Sequence, residues 1–299
     1  MSTPSIDPEV MKKYVQAGTI AREAREFGVS RVKAGGSSLE LVDSIEALIR
    51  ERGGQCAFPV NIGVNEIAAH YTPSKGDDIR FKMGDVVKVD VGAHVDGYPA
   101  DTAATVEVGT RNHTALIEGA KDALRICIEM AAPGTTVSAL GGAVSRTIRA
   151  AGFKPVENLT GHSMDKFNLH AGLSIPSIET RDRSTLTEGM VVAIEPFSTT
   201  GAGKVRGSGR GSIFRIVRER RAPDEVSLMF DKIKQQFGPF PFAGRWCDTL
   251  DINAALHLNK LARMGMIMSY PVLTEVASGV VAQAEHSIIV TKDGCRILT

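Results

Sequence analysis

Residues 86–103 read VVKVDVGAHVDGYPADTA, and this stretch decides the fold. The pair Asp96 and Gly97 lies between two runs with alternating apolar residues, a pattern that predicts a β-hairpin with a two-residue turn. With these two residues in the turn, Asp90 and Asp101 lie on the same face as diagonal neighbours, roughly 7–8 Å apart at the backbone. The hairpin therefore presents two carboxylates side by side.

The two aspartates need a partner. Residues two apart on a strand share a face, so Val87, Val89 and Val91 point to the opposite side and can enter a core. Two carboxylates on one face of an apolar hairpin repel each other and require a cation, a proton or a basic group. Taken alone, the hairpin also fits two unrelated aspartates on an exposed surface.

The composition is typical of a soluble globular protein. The chain has 299 residues, enough for one large domain or two small ones. A net charge of +1 argues against a global electrostatic attraction to nucleic acid or membranes. Four scattered cysteines without a CxxC pair favour a reduced, intracellular protein. The N-terminus is polar and shows no signal-peptide pattern, and no apolar run is long enough to span a membrane. We therefore expect a cytoplasmic protein.

The helices occur in two pairs. The first helix is expected to end at Gly28, and the second begins at a capping box formed by Ser37 and Glu40. A third and a fourth helix are expected over residues 112–130 and 137–151. Strand-rich sequence follows each pair, including one continuous strand over 280–290. This repetition of elements indicates two similar halves.

Residues 223–270 predict a helical insert subdomain with apolar stripes at helical spacing, bounded by joints rich in Pro and Gly. The preceding residues 215–221 carry four arginines, a pattern typical of a solvated strand edge. Residues 201–211 are rich in glycine, but they lack the Lys-Ser/Thr ending of a phosphate loop.

Four carboxylates and one imidazole lie in or beside strand-like apolar sequence: Asp90, Asp101, His162, Glu195 and Glu285. If they converge, four carboxylates cannot all ionise in a low-dielectric cleft without compensation. Two divalent cations would compensate them, and oxygen ligands with one histidine suit Mn, Fe or Co, and zinc less exclusively. A pair of such ions activates a water molecule and stabilises a tetrahedral intermediate. Convergence itself is an assumption, because the five residues are far apart in sequence.

The motifs that contain these residues closely resemble those of the methionine aminopeptidases of peptidase family M24. They are VDVG at 89–92 with ADTA at 100–103, GHS at 161–163 with HAG at 170–172, AIEPF at 193–197 and QAEHS at 283–287. The resemblance covers nearly the whole chain. The helical insert between the last two motifs resembles the type 2 enzymes, and the absence of a long N-terminal extension resembles the archaeal form.

The resemblance implies an α/β (α+β) architecture, the pita-bread fold, with pseudo-two-fold halves. Residues 1–299 would form a single catalytic domain that contains the helical insert at 223–270. The element repeat described above fits this expectation.

The resemblance also implies ligand roles. Asp90 would bind one metal ion, Asp101 and Glu285 would bridge two ions, and His162 and Glu195 would hold the other. Glu195 would also exchange a proton with the water, and a bridging hydroxide would attack the first peptide bond. The expected cofactors are two divalent ions per chain, from among Co, Mn, Fe, Zn and Ni.

Five further residues match substrate-binding positions of the family. His170 would stabilise the carbonyl oxygen or the oxyanion. His70 would position the amine side of the substrate or the following peptide. Phe58, Phe197 and Tyr270 would line the pocket for the methionine side chain, since a thioether packs well against aromatic rings. Core packing stays open as the alternative role for these three aromatic residues.

The implied function is removal of the initiator methionine from nascent chains when the second residue is small, by a cytoplasmic, monomeric, ribosome-associated enzyme. We expect no membrane or nucleic-acid partner. One alternative is a prolidase or Xaa-Pro aminopeptidase of the same fold, which usually carries an N-terminal domain for which there is no room before Lys12. The other is a non-catalytic relative that binds RNA or the ribosome through the arginines of 215–221, but such relatives lose metal ligands.

Overall fold

The computed structural model describes residues 6–299. The described helices are α1 (Pro8–Arg31), α2 (Ser38–Glu51), α3 (Thr114–Met130), α4 (Val137–Ala150), α5 (Asp224–Phe237), a 3₁₀ helix (Gly244–Thr249) and α6 (Ala254–Arg263). The strands are β1 (Gln55–Cys56), β2 (Asn61–Val64), β3 (Ile67–Ala69), β4 (Val86–Val95), β5 (Tyr98–Glu107), β6 (Lys154–Pro155), β7 (Thr160–Met164), β8 (Ser174–Pro176), β9 (Val191–Ile194), β10 (Phe197–Thr199), β11 (Val205–Ser208), β12 (Ile213–Ile216), β13 (Phe242–Ala243), β14 (Ile267–Ser269), β15 (Val272–Glu275), β16 (Val281–Gln283), β17 (His286–Thr291) and β18 (Gly294–Ile297). Within 6–299, no helix is long and apolar enough to cross a membrane.

The hairpin of β4 and β5 forms in the predicted register. Asp90 lies opposite Ala103, which places Asp101 on the same face. Asp96 and Gly97 form the turn with φ values of 50° and 86°, the left-handed conformation that a two-residue type I′ turn requires at both positions. The local sequence thus sets the geometry of the two aspartates.

Two sheets, each covered by a pair of helices, form the two halves. In the first half β4 pairs with β1 and β2 on one side and with β5 on the other, and α1 and α2 pack against this sheet. In the second half the strand order is β18-β17-β9-β7-β8, and α3 and α4 cover it. The valines of β4 that point away from the aspartates are fully buried in the first of these cores.

Two chain segments break where they leave the second sheet. β9 ends before Glu195, and the chain re-pairs as β10 with β16. The continuous strand predicted over 280–290 is wrong, because the chain is interrupted between β16 and β17 at Ala284 and Glu285. There the backbone N–H of Glu285 donates to the carbonyl of Ala103 on β5, 3.0 Å away. Because this N–H donates to the first half, it is not available for regular strand pairing in the second sheet. The local sequence does not indicate this long-range hydrogen bond.

The predicted end of the first helix at Gly28 is also wrong, since α1 continues to Arg31. Gly28 is buried, and a Cβ atom there would lie 2.6 Å from Ile45 Cδ1 and 3.0 Å from Val89 Cγ1. The glycine therefore allows α1 to pack closely on α2 and β4 and does not terminate the helix.

Helices α5 and α6 and the 3₁₀ helix lie within 223–270 and share an apolar core. Phe214 and Ile216 of β12 pack against that core, and β12 pairs with both β13 and β14. Arg215 of β12 is exposed and pairs on one side only, with Met268 of β14, and the other three arginines of 215–221 are exposed beyond the end of that strand, which agrees with the expected solvated edge. The boundary of the insert at residue 223 stays a prediction.

Candidate active site

A cavity of about 220 Å³ lies between the two halves, and we call it the inner cavity. All of the residues that the sequence nominated for metal or substrate binding line it: Phe58, His70, Asp90, Asp101, His162, His170, Glu195, Phe197, Tyr270 and Glu285. Residues distant in sequence therefore converge, and none of the nominated residues lies elsewhere.

Two of the carboxylates and the imidazole are within reach of a common ion. Ligand atoms of Asp101, His162 and Glu285 all lie within 4.8 Å of one another. His162 Nε2 lies 3.5 Å from Asp101 Oδ2 and 3.9 Å from Glu195 Oε1. Asp101, His162 and Glu285 are almost fully buried, with exposed fractions of 4%, 7% and 2%. This spacing fits shared coordination better than direct carboxylate–imidazole hydrogen bonding.

Hydrogen bonds through Ser287 and Thr102 connect the backbone at Asp101 with the backbone at Glu285. The Ser287 hydroxyl accepts a hydrogen bond from the backbone N–H of Asp101 and donates to its carbonyl, both at 2.8 Å. The Thr102 hydroxyl donates to the Glu285 carbonyl at 2.8 Å. Because Glu285 lies in the break between β16 and β17, its side chain reaches the aspartates of the first half.

Sheet pairing brings His162 and Glu195 together in the second half. His162 on β7 lies opposite Ala193 on β9, two residues before Glu195. Pro196 follows Glu195 and favours an extended backbone there, so β9 ends with a carboxylate beside the imidazole.

Burial and mutual repulsion control the ionisation of the cluster. Burial first, and then the neighbouring carboxylates, raise the pKa of Asp90, Glu195 and Glu285 well above their usual values. Burial also raises the pKa of Asp101 to about 7 and lowers the pKa of His162 to about 4. Arg25 opposes the rise in pKa at Glu285 alone, so the protein supplies too little positive charge to hold all four carboxylates ionised together.

The donor set fits divalent metal ions. The buried oxygens Asp90 Oδ1 and Asp101 Oδ1 have no hydrogen-bond partner among residues 6–299. Carboxylate oxygens with one imidazole nitrogen are the ligands of moderately hard first-row cations, which would compensate the charge and occupy these oxygens. Divalent cations thus satisfy both the electrostatic and the hydrogen-bonding deficits.

Two neutral histidines flank the ligands. The His170 ring lies 4.3 Å from the His162 ring, and the His70 ring lies 5.2 Å from that of Tyr270 in an edge-to-face arrangement. Burial, as the largest cause, lowers the pKa of both His70 and His170 to about 4, so both are neutral at pH 7. His70 also has a left-handed φ of 62°, a strained conformation for a residue with a side chain.

Two of the three aromatic residues have both of the roles considered for them. Phe58 and Phe197 line the inner cavity and also pack in apolar clusters. Phe58 lies flat against β4 because Gly92 has no side chain, and a Cβ atom there would be 2.2 Å from Phe58 Cε1. Core packing and pocket lining are therefore not exclusive.

Two buried polar residues were missed by the sequence analysis. Gln283 Nε2 donates to Glu285 Oε2 at 3.3 Å, and the same amide lowers the pKa of Asp90. Asn61 lies opposite Asp90 on β2 and lines the inner cavity. Gln283 could have been found from its place in the motif with Glu285, two positions away. Nothing in the sequence around Asn61 indicates its location.

A family model described as metallopeptidase family M24 matches residues 12–292. The chain belongs to metallopeptidase family M24. This M24 chain is 45% identical over 293 residues to a methionine aminopeptidase from Pyrococcus horikoshii, covering 96% of this chain and 98% of the relative. The resemblance to the methionine aminopeptidases is confirmed, including their archaeal form.

Solved structures confirm the fold of this M24 chain. A thermophilic Arx1 superposes with a TM-score of 0.87 at 18% identity, covering 98% of this chain and 91% of the other. The methionine aminopeptidase of Thermotoga maritima gives a TM-score of 0.73 at 21% identity, covering 100% and 99% of the two chains. At these identities the likeness concerns the fold alone, and the predicted pita-bread architecture is confirmed.

Proposed function

We propose that this chain removes the initiator methionine from proteins by metal-dependent hydrolysis. The observation that supports this most strongly is the cluster of buried carboxylates and one histidine beside an aromatic-lined cavity. Membership of family M24 and the high identity to methionine aminopeptidases over nearly the whole chain agree with it.

Two divalent ions would be held by these residues: Asp90 would serve one ion, His162 and Glu195 would serve the other, and Asp101 and Glu285 would serve both. Co, Mn, Fe, Zn and Ni all suit this donor set. When bound, such ions supply Lewis-acid activation of a water molecule and of the scissile carbonyl.

The protein side chains move the protons and orient the peptide. Glu195 accepts a proton from the attacking water and returns it to the leaving amine, so one O–C bond forms while the C–N bond breaks. His170, neutral at pH 7, donates a hydrogen bond to the carbonyl oxygen as negative charge develops on it. His70 orients the substrate backbone.

Phe58, Phe197 and Tyr270 receive the methionine side chain, since a flexible thioether packs favourably against aromatic rings. The small volume of the inner cavity leaves little room for a bulky second residue, which supports the selection of small second residues. The substrates are accordingly peptides with an N-terminal methionine followed by a small residue.

The proposal also covers the cellular setting, the oligomeric state and the domain organisation. The enzyme acts on nascent chains near the ribosome, as a monomer in the cytoplasm. We propose one catalytic domain over 1–299, of which residues 1–5 lie outside the described part of the chain, with the helical insert at 223–270.

Methionine release from peptides tests the proposal. After treatment with a chelator and reloading with Co or Mn, the protein should cleave Met-Ala-Ser rapidly, Met-Leu-Ser slowly and Ala-Pro not at all. The matched variant Asp101→Asn should remain folded and lose turnover. If methionine is released with none of the five metals, the proposal is overturned. Preferential cleavage of Ala-Pro would favour a prolidase.

A further inference from the structure

A second cavity of about 690 Å³ adjoins the inner cavity, and we call it the outer cavity. The two cavities share Leu169, His170, Pro241 and Tyr270. The remaining walls come from the segment before His170, from β12 and from α5, and the lining residues used below are Phe167, Arg215, Glu219, Phe230 and Lys234. A peptide that leaves the inner cavity past His170 therefore enters the outer cavity.

The outer cavity carries an uncompensated positive charge. Lys234 is paired with Glu219, Nζ to Oε2 at 2.8 Å. The only polar contact of the Arg215 side chain within residues 6–299 is from Nε to Met268 Sδ at 3.3 Å, and no carboxylate in this range is close enough to form an ion pair with it. Among the Lys, Arg, Asp and Glu residues that line the outer cavity, Lys234 and Glu219 compensate each other, so Arg215 leaves a net positive charge there.

The charge of Arg215 acts on the boundary between the two cavities. Burial is the largest cause of the low pKa of His170, His162 adds to it, and Arg215 lowers it further. At Tyr270 burial raises the pKa and Arg215 opposes that rise. Both affected residues line the passage that a peptide would follow.

The position of the outer cavity relative to the inner one sets which substrate residues it can hold. An extended chain advances about 3.3 Å per residue. With methionine against the aromatic residues of the inner cavity and the second residue beside His170, the third and later residues lie in the outer cavity. Phe167 and Phe230 offer apolar surface for side-chain stems there, and Arg215 offers a planar donor for a carboxylate.

We propose that the outer cavity binds the third to fifth residues of the substrate and that Arg215 makes it prefer acidic side chains at these positions. This inference rests on the proposed function and extends it from the first two residues to the following segment.

Paired peptides test the preference. The holoenzyme, loaded with Co or Mn, is compared on Met-Ala-Glu-Ser-Ser and Met-Ala-Lys-Ser-Ser, and on the same pair with the charge at the fourth residue. At one position or both, kcat/KM should be about two- to fivefold higher for the glutamate peptide, as a solvent-accessible ion pair allows. The difference should lie mainly in KM and shrink with added salt.

Variants assign the preference to Arg215. Arg215→Gln should bring the glutamate-to-lysine ratio close to one, and Arg215→Glu should invert it. Arg218→Gln is the matched control, because Arg218 belongs to the same arginine-rich segment but donates to the Gly265 carbonyl and does not line the outer cavity. It should keep the wild-type ratio.

Two results would overturn the assignment: equal kcat/KM values for both peptides at both positions in the wild type, or an unchanged ratio in Arg215→Gln. If no peptide is cleaved with any metal, the proposed function fails. In that case calorimetric titration with the same peptides still tests the outer cavity, since the glutamate peptides should bind more tightly, and equal affinities would overturn the assignment.

Discussion

At the scale of single residues, a neutral amide supports the carboxylate cluster. Gln283 is buried, donates to Glu285 at 3.3 Å and also interacts with Asp90. An amide donor orients two carboxylates without adding a charge, which is the usual role of a residue behind the metal ligands.

Replacing this donor should weaken metal binding. Gln283→Met keeps the length of the side chain and removes the hydrogen bonds, so we expect the Kd for Mn²⁺ to rise about 10- to 100-fold in calorimetric titration. Gln235→Met makes the same chemical change on the exposed face of α5 and should leave the Kd unchanged. Equal affinities for the Gln283 variant and the wild type would contradict this role.

His94 should make stability depend on pH. Its ring stacks on Phe240 with centroids 4.4 Å apart, and burial lowers its pKa from 6.5 to about 4. As the pH falls, the unfolded chain therefore binds a proton at His94 near pH 6.5, and the folded chain does so only near pH 4. The stability that depends on a neutral His94 is fully present above pH 6.5 and is lost as the pH falls toward 4.

Substituting His94 should flatten that dependence. Between pH 6.5 and 4.5 the wild type should lose about 1–2 kcal/mol more unfolding free energy than His94→Gln, measured by urea denaturation. The other histidines titrate in both proteins, so the difference between the two curves isolates His94. Parallel curves would show that His94 is not the cause.

At the scale of elements, glycines set how closely helices and strands approach. Gly18 in α1 is buried, and a Cβ atom there would lie 2.2 Å from the backbone oxygen of Leu298. A Cβ atom at Gly142 in α4 would meet the flexible end of Arg146 at 3.0 Å and, at an ordinary contact distance of 3.6 Å, Glu179 Cβ.

The two glycines should therefore respond oppositely to alanine. Gly18→Ala should destabilise the protein by about 1–3 kcal/mol, because backbone must move to relieve the clash. Gly142→Ala should be neutral or stabilising by up to about 1 kcal/mol through helix propensity. Unfolding free energies from chemical denaturation test both, and a stable Gly18→Ala variant would contradict the close packing.

A buried ion pair connects the 3₁₀ helix to α2. Arg245 contacts the Glu46 carboxylate, which also accepts hydrogen bonds from Trp246 Nε1 at 2.7 Å and from the Val60 backbone at 3.2 Å. Arg245 also donates to Thr72 at 2.7 Å. The segment is thus attached to the first half by a buried charged network.

Breaking that pair should be costly. Arg245→Met leaves Glu46 buried without its partner and should lower the unfolding free energy by about 3–5 kcal/mol. Arg125→Met removes the exposed pairs with Asp122 and Glu129 on α3 and should change the unfolding free energy by less than about 1 kcal/mol. Similar losses in the two variants would contradict a special role for the buried pair.

At the scale of the whole molecule, local sequence predicted part of the fold and of the site. Asp96 and Gly97 define the hairpin turn, so the geometry of Asp90 and Asp101 follows from neighbouring residues alone. The break at Glu285 depends on a hydrogen bond to Ala103, far away in sequence, and no local pattern contains it. The convergence of the remaining ligands was likewise expected only from the family resemblance.

The outer cavity shows the same limit. The sequence predicted Arg215 only as part of a solvated strand edge, because its pairing with Met268 of β14 and its place in the same cavity as His170 arise from long-range packing. Sequence patterns identify strands and charged residues, whereas the contacts between distant strands decide which of those residues share a cavity.

The convergence of the two halves on a pair of divalent ions is the central claim, and anomalous diffraction at the metal edge tests it most directly. Crystals soaked in Mn²⁺ or Co²⁺ should show two peaks about 3.5–4 Å apart in the inner cavity, both bound by Asp101 and Glu285. Asp90 should contact one ion, and His162 with Glu195 the other. An inner cavity without peaks, or ions bound away from these carboxylates, would contradict the account.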